Sequence, residues 1–239
     1  MPLRTAGYAG VGPTGPLGGR TSLGWLAMMV QQLAVPGAWS FAPRQLTDPR
    51  GVFLEWYKSA VLQEAVGHPL TVRQANHSVS VRGTLRGVHF ADVPVGQAKY
   101  VYCTRGAVLD VVVDIRVGSP TFGASDAVRL DEVDRRGVYL SEGLGHAFLA
   151  LTDDANVTYL CSEPYHPTAE HGIDPLDPEL ALPWPADVPK LLSDKDSAAP
   201  TLREALSSGL LPSYDECLAF YAGLRDRDPG DSSTTGSGQ

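Results

Sequence analysis

The feature that most restricts this chain is a two-residue alternation of side-chain character, repeated in several segments between residues 71 and 161. Successive side chains of an extended strand point to opposite faces, so this alternation selects strands with two unlike environments. In the segment 107–117, Leu109, Val111, Val113 and Ile115 share one face, and Asp110, Asp114 and Arg116 share the other. The segment 98–104 aligns Lys99 with Val101 and Cys103, and 156–161 aligns Val157, Tyr159 and Cys161. A lysine and a tyrosine thus each stand in line with apolar neighbours. In 71–80, Gln74, Asn76, Ser78 and Ser80 form one polar face opposite Ala75 and Val79, suited to lining a wet cavity.

Turn chemistry separates these segments at short intervals, at Asp48-Pro49-Arg50-Gly51, Arg105-Gly106 and Gly118-Ser119-Pro120. Short strands joined by such turns predict an all-β sandwich or barrel rather than βαβ units. Helix is expected mainly at the end, over 201–207 and 213–224, with Leu218, Tyr221 and Leu224 as the inward stripe of the second. With 239 residues, 43% of them hydrophobic, the chain can bury one good-sized core. Residues 1–28, rich in Gly, Pro and Thr, read as a disordered leader, 29–227 as one domain, and the Gly/Ser/Thr/Asp run 228–239 as a loose tail.

The formal charge of −8 supplies no basic stripe for a polyphosphate backbone, which argues against nucleic acid as a partner. An anionic ligand would have to be held locally, by a few arginines and lysines in a pocket. Cys103, Cys161 and Cys217 stand far apart with no C-x-x-C pair, which fits a reducing, cytoplasmic compartment. The most apolar early stretch, 23–35, is broken by Gln31 and Gln32 and is too short to span a bilayer. It also lacks the layout of a secretory signal.

The run Arg86-Gly87-Val88-His89-Phe90 is followed by Gln97-Ala98-Lys99-Tyr100-Val101. Further on come Asp114-Ile115-Arg116, Gly118-Ser119-Pro120-Thr121-Phe122-Gly123 and Ser141-Glu142-Gly143-Leu144-Gly145-His146-Ala147-Phe148. Tyr159, Tyr165-His166-Pro167, Asp177-Pro178, Trp184-Pro185 and Ser193-Asp194-Lys195-Asp196 complete an ordered set. In these residues the sequence resembles the dTDP-4-dehydrorhamnose 3,5-epimerase family of deoxysugar biosynthesis. The resemblance implies a mainly β fold, an antiparallel jelly-roll (cupin-type) β-barrel with short C-terminal helices. It also implies a homodimer, no metal or nicotinamide cofactor, and a dTDP-linked 4-keto-6-deoxyhexose as substrate.

Protons on carbons beside a ketone are acidic only because the carbanion delocalises onto oxygen, so such a reaction needs a base, an oxyanion stabiliser and an acid on the opposite face. The resemblance assigns His89 as base and Asp196 as the carboxylate that orients it, a pairing that spacing alone does not reveal. It assigns Lys99 to the charge on the C4 oxygen and Tyr159 to the returning proton. His146 falls beside the sugar. Arg50 and Arg86 match positions that contact the diphosphate, where a guanidinium pairs well with adjacent anions. Phe53, Glu55, Gln74, Asn76, Tyr165 and Glu170 match positions near the nucleotide.

Without the motif context each residue has a plainer reading. His89 could be a structural histidine, Lys99 could snorkel to an edge, Tyr159 could be a core ring, and Asp196 and Arg50 could be turn residues. Two rival functions also remain at this level. A metal-dependent cupin needs a pair of histidines one residue apart, whereas Phe90 and Ala91 follow His89. A non-catalytic sugar-nucleotide binding module would not need His89, Lys99, Tyr159 and Asp196 together. Whether C3, C5 or both would be inverted is not written in the sequence. The resemblance places the dimer contact at an N-terminal strand, here the stretch from Trp39 to Arg44 leading into the Arg50 turn; if Arg50 or Phe53 reaches a neighbour's pocket, activity should fall with dilution.

Overall fold

The alternating segments form two antiparallel sheets laid face to face in a computed structural model that describes residues 28–226. In chain order the strands begin with β1 (Met29–Gln32), β2 (Ala38–Ala42), β3 (Leu46–Asp48), β4 (Gly51–Phe53), β5 (Gln74–Ser80) and β6 (Leu85–Ala91). They continue with β7 (Lys99–Arg105), β8 (Ala107–Val113), β9 (Ser125–Asp131), β10 (Gly137–Leu140), β11 (Gly145–Ala150), β12 (Ala155–Cys161) and β13 (Glu170–Gly172). The helices are α1 (Ser59–Val66), α2 (Asp194–Ser197), α3 (Leu202–Ser207) and α4 (Tyr214–Arg225). One sheet runs β1-β2-β10-β7-β12-β5 and the other β13-β6-β11-β8-β9, with β3 and β4 as a separate hairpin. Strands adjacent in space but distant in sequence, spread over two sheets, make this a jelly roll.

Period-two geometry decides what lies between the sheets. Val101, Cys103, Val138 and Val157 from the first sheet meet Val108, Val112, Leu130 and Phe148 from the second. Lys99 shares its face with Val101 and Cys103, and Tyr159 packs against the same cluster, as the alternation predicts. On β5, Gln74, Asn76 and Ser78 are half-buried and Ser80 is buried, while Val79 stands exposed, so the polar face does turn inward.

The second sheet is buried on both sides. Val111, Val113 and Ile115 do share a face, but it lies under Leu202, Ala205 and Leu211 of the C-terminal segment. The opposite face, with Asp110 between Val108 and Val112, is the one that enters the gap. Two buried faces explain the unbroken run Val111-Val112-Val113. Asp114 and Arg116 do not line the gap. They form a buried ion pair 2.7 Å apart, and Ser119 and Thr121 both donate to Asp114 Oδ2, pinning the turn that follows β8.

Three expectations need correcting or narrowing. Helix lies mainly at the end, as expected, with one earlier helix added: α1 packs Leu62 against an aromatic layer of Phe41, Tyr100 and Tyr139 on the outer face of the first sheet. The last helix starts and stops as predicted, with Ser213 and Thr201 capping α4 and α3. Of the expected stripe Tyr221 is buried, reaching the Glu142 carbonyl, and Leu224 is half-buried, whereas Leu218 is exposed and Cys217 takes the inward position beside it. The leader and tail fall outside the described residues apart from Met28, whose side chain packs beside the aromatic layer. Among the described residues no helix is long and apolar enough to cross a membrane.

Candidate active site

His89 enters the gap between the sheets because of a glycine two residues before it. Gly87 has φ +113°, and a Cβ there would lie 2.4 Å from the His146 carbonyl oxygen. The β6–β11 register slips at this point, a bulge that re-aims β6 so that Val88 and Phe90 go to the outer core while His89 stays half-buried inside. His89 Nε2 hydrogen-bonds Asp196 Oδ1 at 2.6 Å across 107 residues of sequence. Asp196 is held in turn by α2, where the Ser193 hydroxyl accepts from its backbone N–H. Burial alone would raise the Asp196 carboxyl, but the His89 hydrogen bond and charge, Ser193 and the Gly87 backbone together hold it below the ordinary aspartate value. With Nε2 donating to Asp196, Nδ1 is left to take a proton.

His146 is the registered partner of His89 on β11. Its Nε2 lies 2.7 Å from Asp110 Oδ2, and both side chains are buried. Sequence alone places Asp110 only on a polar face and assigns it no role at the site.

The first sheet supplies the opposite wall. Lys99 is directly opposed to Cys161, and Tyr159 lies two residues along the same face, so the ammonium and phenol are diagonal neighbours. Burial pushes the Lys99 ammonium below the usual lysine value, against the pull of Cys161, Glu170 and Asp110. Burial likewise raises the Tyr159 phenol, assisted by Cys161 and Glu170 and opposed by Arg86 and Asn76, so it keeps its proton at neutral pH.

Gln74 Nε2 donates to Asn76 Oδ1 at 2.9 Å, and Gln74 Oε1 accepts from the Tyr165 backbone at 3.1 Å. Glu170, on β13 beside β6, accepts from Gln97 and from the His166 backbone. Arg86 is exposed on β6, near enough to Tyr159 to act on its charge, with Ser80 as its hydrogen-bond partner. Contacts and strand registers therefore link these residues in series: His89 with Asp196 and, across the strands, His146; Lys99 and Tyr159 on one face of the first sheet; Tyr159 opposite Asn76 and within reach of Arg86 and Glu170; and Gln74 with Asn76 and Tyr165. Arg50, Phe53 and Glu55 do not join them in this chain. The Arg50 side chain is 90% exposed and ion-paired with Asp48, Phe53 is 63% exposed, and Glu55 pairs with Lys58.

Among the described residues no three His, Cys, Asp or Glu side chains converge to hold a metal ion. What converges is acid–base chemistry: an oriented imidazole on one wall, and a buried ammonium beside a protonated phenol on the other. That division of labour on a jelly roll belongs to the isomerases that move protons at carbon, the carbohydrate epimerases. The sequence profile of the dTDP-4-dehydrorhamnose 3,5-epimerase family matches residues 32–204, and the chain belongs to that family. A dTDP-4-dehydrorhamnose 3,5-epimerase of Mycolicibacterium smegmatis is 58% identical over 199 residues, covering 83% of this chain and 98% of that protein. A dTDP-4-dehydrorhamnose 3-epimerase of Streptomyces niveus is 57% identical over 192 residues, covering 80% and 92%. Among solved structures, a double mutant of ChmJ, a 3'-monoepimerase from Streptomyces bikiniensis in complex with dTDP, superposes with a TM-score of 0.80 at 48% identity, covering 81% and 98%.

Proposed function

We propose that this chain epimerises a dTDP-linked 4-keto-6-deoxyhexose in deoxysugar biosynthesis, at both C3 and C5, by proton transfer through an enolate. The observation that carries this reading is the 2.6 Å His89–Asp196 pair, which leaves Nδ1 free in a gap whose far wall holds Lys99 and Tyr159. His89 Nδ1 takes the proton beside the C4 ketone, and the C–H electron pair moves through carbon onto the C4 oxygen. Lys99 holds that oxygen's negative charge, an interaction strengthened by exclusion of water. Tyr159 then gives its proton to the opposite face of the carbon as the ketone reforms. No electron is gained or lost overall, and both groups reset by exchange with solvent.

The ChmJ double mutant lends support to the two proton carriers. It replaces one histidine and one tyrosine that stand 70 residues apart, the separation of His89 and Tyr159 in this chain. Tyr165 with Gln74 and Asn76 offers a stacking ring and an amide edge for thymine, and Arg86 a partner for the diphosphate. We infer a homodimer, because the β3–β4 hairpin is exposed throughout and carries Arg50 and Phe53 away from their own gap. The three unpaired, buried cysteines fit a reducing cytoplasm.

A second reading, inversion at C3 alone, is favoured by the 3-epimerase relative, which is as similar as the 3,5-epimerase. One experiment tests both readings. The protein is incubated in heavy water with dTDP-4-keto-6-deoxyglucose and the product is analysed by NMR. Deuterium at C3 and C5 with both centres inverted is the expected result, deuterium at C3 alone selects the second reading, and no exchange overturns catalysis.

A further inference from the structure

On the side of β7 away from the gap lies a separate cavity of about 330 Å³, between the outer face of the first sheet, the loop after β6 and helix α4. At its floor is Glu142, 3% exposed. Its Oε1 accepts from the Ser162 hydroxyl at 3.3 Å, while Oε2 is buried with no hydrogen-bond partner among the described residues. The Tyr139 hydroxyl, which also lines the cavity, is buried without a well-formed hydrogen bond, with Ser141 as a polar neighbour. Buried polar atoms are almost always satisfied, so two such atoms lining one cavity point to a partner supplied from outside.

The surroundings select the sign of that partner. Glu163, the other carboxylate in the lining, is already paired with Arg73 at the rim, 3.3 Å away. Burial, the largest influence on His68, pushes its imidazole toward the neutral form. From α4, Tyr221 and Cys217 face Glu142, and burial raises both of them, so they stay neutral too. The one unpaired acidic group in the cavity among the described residues is therefore Glu142, which carries a charge in its ionised form. A hydrated metal ion lacks ligands here, since no three His, Cys, Asp or Glu cluster among the described residues. The walls, Pro94, Val95, Phe220 and Leu224, are instead apolar.

We propose that this cavity binds a small organic ammonium ion, its charged head on Glu142 and Tyr139 and its apolar body against Val95, Phe220 and Leu224. Its size is at the lower end for ligand sites, which suits a one-ring or short-chain amine. Burial raises the Glu142 carboxyl to about 7, opposed by its own backbone N–H, the Ser162 hydroxyl and the Ala98 backbone, with Glu163 adding a smaller upward push. An ammonium binds the ionised form, so affinity rises as pH climbs through that value.

The test is calorimetric titration of the whole protein with benzylammonium chloride, with benzyl alcohol and sodium chloride as controls. Saturable binding about tenfold tighter than the alcohol is expected, and a further gain of about tenfold between about pH 6 and about pH 8. Glu142→Gln should remove both the preference for the ammonium and the pH dependence. Val95→Trp, at a side chain 56% exposed at the mouth, should abolish binding while leaving Glu142 untouched. Absence of saturable binding, equal affinity for the alcohol, or ammonium binding that survives both substitutions would overturn the proposal.

Discussion

His89 and His146 stand directly opposite one another on β6 and β11, and each hydrogen-bonds an aspartate through Nε2. The two pairs differ in access: the His89 side chain is 35% exposed, whereas that of His146 is 10% exposed over an Asp110 sealed from solvent. The open pair suits proton exchange with a ligand, and the closed one suits holding a fixed polar wall.

If Asp196 orients the His89 ring and steadies its cation, Asp196→Asn should leave the fold in place and slow catalysis by about a hundred- to a thousandfold. Deuterium uptake into substrate, followed by NMR, should fall by the same factor as kcat, because the step removed is proton abstraction. A variant with normal exchange but slow product formation would place Asp196 outside that step.

Lys99 must be an ammonium to hold an enolate, and its pKa is depressed by burial while Glu170 and Asp110 pull it back up. Removing either negative charge should lower the Lys99 pKa further. Glu170→Gln and Asp110→Asn are therefore expected to move the alkaline limb of the kcat/KM profile to lower pH, Glu170→Gln by more, as it is the larger of the two influences. An unchanged alkaline limb in both variants would mean that another group governs it.

Much of this site is visible in the sequence, and what is hidden is hidden for physical reasons. Strand parity alone predicts Lys99, Tyr159 and the polar face of β5 as inward, because each sits in an alternating run. Asp110 is placed on the polar face with Asp114 and Arg116, but β8 is apolar on both faces, so parity does not tell that this face meets the gap and brings Asp110 to His146. The His89–Asp196 contact depends on packing α2 against β6 across 107 residues, which no local rule encodes. Helix α1 escapes for another reason: its N-cap, Lys58, makes no side-chain cap hydrogen bond, so the usual start signal is missing. Of the stripe on α4 only Leu218 is misplaced: Tyr221 is buried as expected, and Cys217, one position earlier, is the inward residue in place of Leu218.

Gly87 is expected to tolerate no side chain. A Cβ would meet the His146 carbonyl oxygen at 2.4 Å and Ala147 Cα at 2.7 Å, at a φ of +113°. Gly87→Ala should cost roughly 2–4 kcal/mol in unfolding free energy and displace His89, so activity should fall further than stability accounts for. Gly209→Ala is the control: φ is +70° but nothing lies within 4 Å of the added carbon, so about 1 kcal/mol of strain is expected. Denaturant melts of the two variants, beside their activity, separate steric clash from backbone strain.

Glu142 gives the folded protein a pH dependence of known sign. Its carboxyl sits at about 7 in the fold against 4.5 for the free group, so the folded state binds the proton more tightly. Stability is then highest below the free value, declines as pH rises through this window, and is lower by roughly 3 kcal/mol above it. Asp196 has the opposite sign, but its contribution is lost only as pH falls through a value below 3.8, outside that window. His68, lowered by burial from 6.5, also opposes Glu142 and does so inside the window, so the comparison with Glu142→Gln is what isolates the Glu142 part. Glu142→Gln should flatten the decline in melts taken between about pH 5 and about pH 8. A slope that persists in the variant would assign it to another group.

The exposed hairpin carrying Arg50 and Phe53 leads to a prediction that a single subunit cannot satisfy. If the proposed dimer is two-fold and Arg50 completes the partner's site, Arg50→Ala and His89→Ala damage the same site from different chains. Each variant alone should be nearly inactive. When the two are mixed and allowed to exchange subunits, half of the dimers become mixed. Each of these pairs one doubly damaged site with one intact site, restoring about a quarter of the native activity. Recovery should follow the rate of subunit exchange and disappear when the variants are kept apart. If the mixture stays inactive while sedimentation shows mixed dimers, Arg50 acts within its own chain or not at all.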